Sequence, residues 1–157
     1  MRREWGARRE ACWGIGYSPE AAMLDDDHLR DLLTRYRRVA VVGLSRNPLR
    51  PSFGVADYLQ RHGYRILPVN PLPREILGET VYPRLEEVPA PVEIVDVFRR
   101  PEFIPDIVTS AIACHAAVLW LQEGLRHPEA EARARAAGLQ VVADRCLLKE
   151  HRRLCNA

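Results

Sequence analysis

From Val39 onward the chain alternates short β-branched runs with segments whose apolar residues recur every three or four positions. That alternation is the pattern of βαβ units, in which parallel strands buried on both faces are joined by crossover helices. Five runs read as main strands: 39–42, 64–69, 92–97, 117–121 and 140–143. Ahead of them, Asp25, Asp26 and Asp27 open a segment with an apolar stripe at Leu29, Leu32, Leu33 and Tyr36, closing on Arg35, Arg37 and Arg38. Acid first and base last is the charge order that a helix dipole favours. Ser52 reads as the N-cap of a helix carrying Val55, Tyr58 and Leu59 and closed by Gly63. Ile104, Ile107, Val108 and Ala111 form the stripe of a second crossover helix, and Pro128, Ala132, Ala136 and Gly138 give the start, face and end of a third. The proline-rich stretch 71–91 reads as a long connection with a short strand near Thr80-Val81-Tyr82 and a helical turn near Leu85. Pro68 brings no ladder donor, so the second strand must either weaken there or place that residue where no N–H is needed.

These elements predict an α/β fold: a Rossmann-like, three-layer open parallel sheet of five main strands. Right-handed crossovers favour the order 3-2-1-4-5, with a switch point between the first and fourth strands. Ligands of such sheets bind at the carboxyl ends of the strands, so the loops leaving the strands are the candidate site.

A chain of 157 residues suits one domain, assigned here to 23–157. Residues 1–22 carry Arg2, Arg3, Arg8, Arg9, Trp5 and Trp13 without a sustained period, and read as a disordered tail or as sequence upstream of a true start at Met23. A net charge of +2 lacks the large basic excess that duplex nucleic acid selects. The apolar runs are too short to span a bilayer. Cys12, Cys114, Cys146 and Cys155 show neither C-x-x-C nor zinc spacing, and no secretory apolar region precedes them, which points to a reducing cytoplasm.

The loop after the first strand runs from Gly43 to Gly54, turns at glycine, carries Ser45 and feeds a helix start at Ser52. Backbone N–H groups and a helix dipole there suit a pyrophosphate, with Arg46 and Arg50 as charged partners. A tight turn without ligand is the competing reading of Gly43. The spacing departs from G-x-G-x-x-G, and Val69-Asn70-Pro71 at the end of the second strand offers no carboxylate for a ribose 2′-hydroxyl. An adenine nucleotide diphosphate without that contact fits better than NAD.

Val41-Val-Gly-Leu-Ser45, Arg50-Pro-Ser-Phe-Gly54, Gly63-Tyr64, Pro68-Val-Asn-Pro71, Ile76-Leu-Gly78 and Val95-Asp-Val-Phe98 resemble the stand-alone CoA-binding proteins. Val118-Leu-Trp-Leu-Gln122 and the closing stretch from Asp144 to His151 extend the likeness over about Leu29 to Leu154. These proteins are similar to the nucleotide-binding domain of the succinyl-CoA synthetase alpha subunit, without its ligase domain. The resemblance implies coenzyme A as cofactor. It sets the diphosphate against Gly43, Leu44, Ser45 and the Arg50, Ser52, Phe53 and Gly54 helix start, the nucleotide beside Asn70 and Pro71, and Phe98, Arg99, Arg100 and Gln122 at the ends of the later strands.

Cys146, Glu150 and His151 bring a thiol, a carboxylate and an imidazole close in sequence. His151 is five positions from Cys146, a poor spacing for its base, and Asp144 is a natural cap, so capping and packing explain this segment more simply than a nucleophile; a redox thiol is the third reading. Trp120 and Cys114 read as core, and Phe98-Arg99-Arg100 either as a solvated turn or as a grip for the 3′-phosphate of CoA. His28, His62, His115 and His127 show no ligand spacing. The reading is a cytoplasmic, nucleotide-binding module for CoA or an acyl-CoA, without catalysis, nucleic acid or membrane; a protein partner or homo-oligomer stays open. The alternatives are an NAD(P)-dependent oxidoreductase or acyl-transfer enzyme using the same pocket and, on the basic tail alone, a nucleic-acid-binding regulator.

Overall fold

The computed structural model describes residues 24–155. The 1–22 tail, the Met23 start and Cys12 lie outside these residues. In chain order the elements are α1 (Asp26–Arg35), β1 (Arg38–Val42), α2 (Pro51–Arg61), β2 (Arg65–Val69), β3 (Glu75–Ile76), β4 (Glu79–Thr80), β5 (Ile94–Val97), α3 (Ile104–Ala113), β6 (Val118–Leu121), α4 (Pro128–Ala136), β7 (Gln140–Val142) and α5 (Leu147–Cys155). Among the described residues no helix is long and apolar enough to cross a membrane.

Every strand of the main sheet is parallel to its neighbours, and the sheet has helices on both faces, the Rossmann-like architecture its sequence pattern predicts. Val39, Val41, Ile66, Ile94, Val118 and Trp120 face α1, α2 and α5; Ala40, Val42, Leu67, Val95, Leu119 and Leu121 face α3 and α4. Alternate residues of one strand thus feed two separate cores, which is why the runs are apolar at nearly every position.

The strand order corrects one expectation. The sheet runs β2-β1-β5-β6-β7, so the five sequence runs are ordered 2-1-3-4-5, not 3-2-1-4-5. The connection after β2 holds no crossover helix; it forms the β3–β4 hairpin and then lays Tyr82 along the outer edge of β2. There Tyr82 N–H donates to Pro68 O at 2.9 Å, and Asn70 N–H donates to Tyr82 O at 3.0 Å. The place expected for a third main strand is therefore held by a single bridge. The same bonds explain Pro68: its carbonyl faces that outer edge, away from β1, so its missing N–H breaks no bond of the main sheet. With β5 displaced to the other side of β1, the switch point lies between β1 and β5 and not beside the fourth run.

Three local expectations also change. Ser52 is not the cap of α2: Arg50 precedes Pro51 at the helix start without a side-chain cap, and Ser52 is buried one residue further in. Ala132 and Ala136 are exposed, while Ala130, Glu131 and Ala134 form the buried face of α4. Asp144 does not cap α5; at φ 57° its Oδ1 accepts a hydrogen bond from Gly124 N–H at 2.7 Å, tying the loop after β6 to the loop after β7. Asp25 does cap α1, accepting from His28 N–H at 2.8 Å.

Candidate functional site

The site begins at Gly43. Its N–H donates to Val69 O at 2.9 Å, and Phe98 N–H donates to Val42 O at 2.8 Å, so the ends of β1, β2 and β5 are laced together beneath one loop. Gly43 has φ +86°, and a Cβ there would lie 2.9 Å from Arg99 Cδ and closer still to the Phe98 carbonyl oxygen. Glycine is required twice over, by conformation and by the approach of the β5 loop. The loop that follows shapes itself: Ser45 N–H donates to Ser52 Oγ, Asn47 N–H to Ser45 Oγ and Leu49 N–H to Asn47 Oδ1, each at 3.0 Å. Ser52 thus holds the loop by its hydroxyl instead of capping the helix.

A groove of about 690 Å³ opens along this edge. Of the predicted residues, Gly43, Ser45, Arg50, Ser52, Phe98, Arg99, Arg100 and Gln122 line it. The remaining five lie outside its lining. Leu44 is buried and Phe53 packs on the core, while Gly54 is exposed with open space where a Cβ would stand. Asn70 spends its amide on structure, donating to Leu44 O at 2.9 Å and accepting from Leu72 N–H at 3.2 Å, and Pro71 is exposed. Arg46 is exposed and also outside the groove.

Charge at the groove is mainly positive. The Arg99 guanidinium lies over the Phe103 ring, 4.1 Å from its centroid, and Arg100 reaches Glu102 only at 3.7 Å. Among the described residues neither Arg50 nor Arg99 forms an ion pair with a carboxylate. At the far end, beyond β6, the lining turns neutral and apolar: Gln122 and Leu125 stand beside Glu123, whose charge is held by Lys149 at 3.0 Å. That contact in turn raises the Lys149 amine above its ordinary pKa.

Behind Gln122 stands a residue that the sequence reading quoted only within a motif. Asp96 of β5 is fully buried, between Val41 and Trp120 in register, and Gln122 Nε2 donates to its Oδ1 at 2.5 Å. Its Oδ2 has no hydrogen-bond partner. Burial pushes the Asp96 carboxyl up to about 7, against the lowering effect of the Gln122 bond. The signal was present in Val95-Asp-Val97, where a carboxylate occupies an inward position of an otherwise apolar strand.

The closing segment is dispersed. Cys146 lines the groove, immediately before α5. Glu150 turns to Arg153 at 2.6 Å and Arg145 at 3.4 Å, and His151 pairs with Tyr58 Oη at 3.0 Å. No thiol–imidazole–carboxylate unit forms. Trp120 is core, its indole N–H donating to Arg145 O at 2.8 Å, and Cys114 packs at the core edge with a thiol raised by burial. Among the described residues no group of His, Cys, Asp and Glu could hold a metal ion.

Residues 37–152 match the model of a family described as "CoA binding domain". The chain belongs to that family. It is 39% identical over 123 residues to the uncharacterized protein YneT of Bacillus subtilis (strain 168), spanning 78% of this chain and 91% of that protein. It is 32% identical over 82 residues to the acetate–CoA ligase [ADP-forming] II of Archaeoglobus fulgidus, but these are 51% of this chain and only 12% of the ligase. Among solved structures, a protein of Pyrococcus horikoshii OT3 superimposes with a TM-score of 0.82 at 42% identity, covering 84% of this chain and 93% of that one. A Thermus thermophilus protein gives 0.80 at 43% identity, covering 83% and 98%. Family membership supports CoA binding in general, which is the ligand class the resemblance implied.

Proposed function

We propose that this chain binds coenzyme A or an acyl-CoA in the groove between the loops after β1, β5 and β6, and that it does so as a cytoplasmic binding module without catalysing a reaction. The observation that carries this reading is the pairing of Gly43 with the β5 loop. The backbone at the start of the phosphate loop touches Phe98, while Arg50 and Arg99, neither neutralised by a carboxylate, line the same groove. Two unpaired guanidinium groups beside a helix start suit the diphosphate and 3′-phosphate of CoA.

The far end beyond β6, with Gln122 and Leu125, suits the uncharged pantetheine arm. The end of β2 argues against NAD, since Asn70 is engaged in holding Leu44 and no carboxylate stands there for a ribose. The Archaeoglobus relative, a CoA ligase by name, places a similar segment within a chain many times larger; here the segment would act as the binding unit alone or beside a partner.

A thermal-shift titration with CoA, dephospho-CoA, acetyl-CoA and NAD tests the reading. A ligand at about 100 times its Kd stabilises the fold by about 2.7 kcal/mol. A raised midpoint with CoA or acetyl-CoA but not NAD is the expected result; a response to NAD alone would replace it with a dinucleotide pocket.

A further inference from the structure

Gln122 is almost fully buried, yet it lines the groove. Its Nε2 is committed to Asp96. Among the described residues its Oε1 makes no hydrogen bond, and it is not one of the sealed polar atoms without a hydrogen bond, which there are Asp96 Oδ2 and Glu131 Oε1. The amide oxygen is therefore the part of Gln122 that faces accessible space, and Asp96 is what orients it. A carboxylate can only accept, so an ionised Asp96 admits one orientation of the amide: nitrogen inward, oxygen to the groove.

We infer that Asp96 is a positioning residue that fixes the Gln122 amide with its oxygen toward the groove, as an acceptor for an amide N–H or hydroxyl on the uncharged arm of coenzyme A. This rests on the CoA reading above. The surroundings favour that class of group over phosphate, because the neighbouring Glu123 and Leu125 offer an anion nothing. If Asp96 gains a proton, its O–H can donate to Gln122 Oε1, the amide can turn over, and the groove is offered N–H where the arm needs an acceptor. No charged group from the packed elements competes for this control: Val41 and Trp120 flank Asp96 in register, only burial and Gln122 act on its titration, and Glu123 at the rim is engaged by Lys149.

The test is calorimetric titration of the full chain, from about pH 6 to 8.5, with CoA and with the methyl ester of 3′-phosphoadenosine 5′-diphosphate, which carries the nucleotide end and the diphosphate diester without the arm. Wild type, Asp96→Asn and Gln122→Leu are compared. This methyl ester shares the titrating phosphates of CoA, so the ratio of the two affinities isolates the arm. In wild type that ratio should rise about fivefold to tenfold with pH, the worth of one hydrogen bond. In both variants it should stay flat, and in Gln122→Leu also low, with methyl-ester affinity unchanged. A wild-type ratio independent of pH, or an Asp96→Asn profile that overlays wild type, overturns the proposal. The Gln122 side-chain amide resonance, followed by NMR in the ligand-free protein, separates the two levels of inference. A pH-dependent shift lost in Asp96→Asn supports the orienting role even if CoA does not bind, in which case the CoA reading fails and the arm contact with it; no such shift refutes the orienting role directly.

Discussion

The backbone of Gly43 lies so close to Phe98 that a methyl group on Gly43 would collide with the Phe98 carbonyl and approach Arg99 Cδ to 2.9 Å. The Phe98 carbonyl cannot retreat freely, since Phe98 N–H is bonded to Val42 O. Gly43→Ala should therefore cost about 2–4 kcal/mol, combining the positive φ with the clash, and should weaken CoA binding. Gly54→Ala is the contrast: Gly54 lies in the first turns of α2 with open space around it, and alanine there should stabilise by about 0.5–1 kcal/mol. Urea unfolding and CoA titration of both variants check this. A Gly54→Ala variant that is more stable yet binds less CoA would show that the ligand approaches that open face.

Arg99 is held on the face of Phe103 and faces the groove without a carboxylate partner. If it grips the 3′-phosphate, Arg99→Ala should weaken CoA about tenfold or more, as loss of a charge-assisted contact does, and weaken dephospho-CoA far less. Equal losses for both ligands, measured by calorimetry, would remove the 3′-phosphate from this position. Phe103→Ala should give a milder version of the same selectivity, because it frees the guanidinium without deleting it.

Much of this was legible in the chain. The five runs and the helix stripes follow from apolar periodicity, a signal that each element carries locally. The strand order did not, because Tyr82 and the run at 94–97 differ in what they pair with, and nothing local to Thr80-Val81-Tyr82 says that one bridge suffices to fill the outer place beside β2. At the site, residues whose role lies in backbone or loop chemistry, such as Gly43 and Ser45, were legible from the strand–loop–helix pattern. Cys146 and Leu125 reach the groove only through the fold of the loops after β6 and β7, which the Asp144–Gly124 bond joins across twenty residues of sequence. Asp96 was visible as an oddity in its strand, but its partner stands on another strand, beyond the reach of periodicity.

Asp96 also makes stability depend on pH in an unusual sense. Its folded pKa, about 7, stands above the ordinary value of 3.8, so between these the folded state holds a proton that the unfolded chain has released. Stability from this group is complete below about pH 4 and is lost as pH rises toward 7, by at most about 4 kcal/mol. Asp96→Asn removes the titration. Its stability relative to wild type should therefore improve steadily from about pH 4 to 8 in urea unfolding. A difference that stays constant across this range would show that Asp96 is ionised in the fold at ordinary acidity.

His151 acts with the opposite sign. It is buried between α5 and α2, with Tyr58 Oη on its Nδ1, the His62 ring centroid at 5.3 Å and the Tyr64 ring edge-on at 5.5 Å. Burial first, then His62 and Arg37, hold its pKa below the usual 6.5. Below pH 6.5 the unfolded chain takes up a proton that the folded one resists, so the contribution of neutral His151 is intact above that value and fades as pH falls through the lowered folded pKa. The close approach of His62 depends on the neutral ring, so acid should loosen α5 from α2 before the sheet is lost. His151→Gln abolishes the titration, and the stability advantage of wild type over this variant should shrink from about pH 7 to 5. Amide hydrogen exchange supplies the local readout: protection in α5 should fall in acid ahead of protection in β1 and β5, and uniform loss across all three would refute a helix-specific effect. Because Asp96 stabilises over part of the same acid range, the comparison is cleanest in an Asp96→Asn background, where that titration is removed.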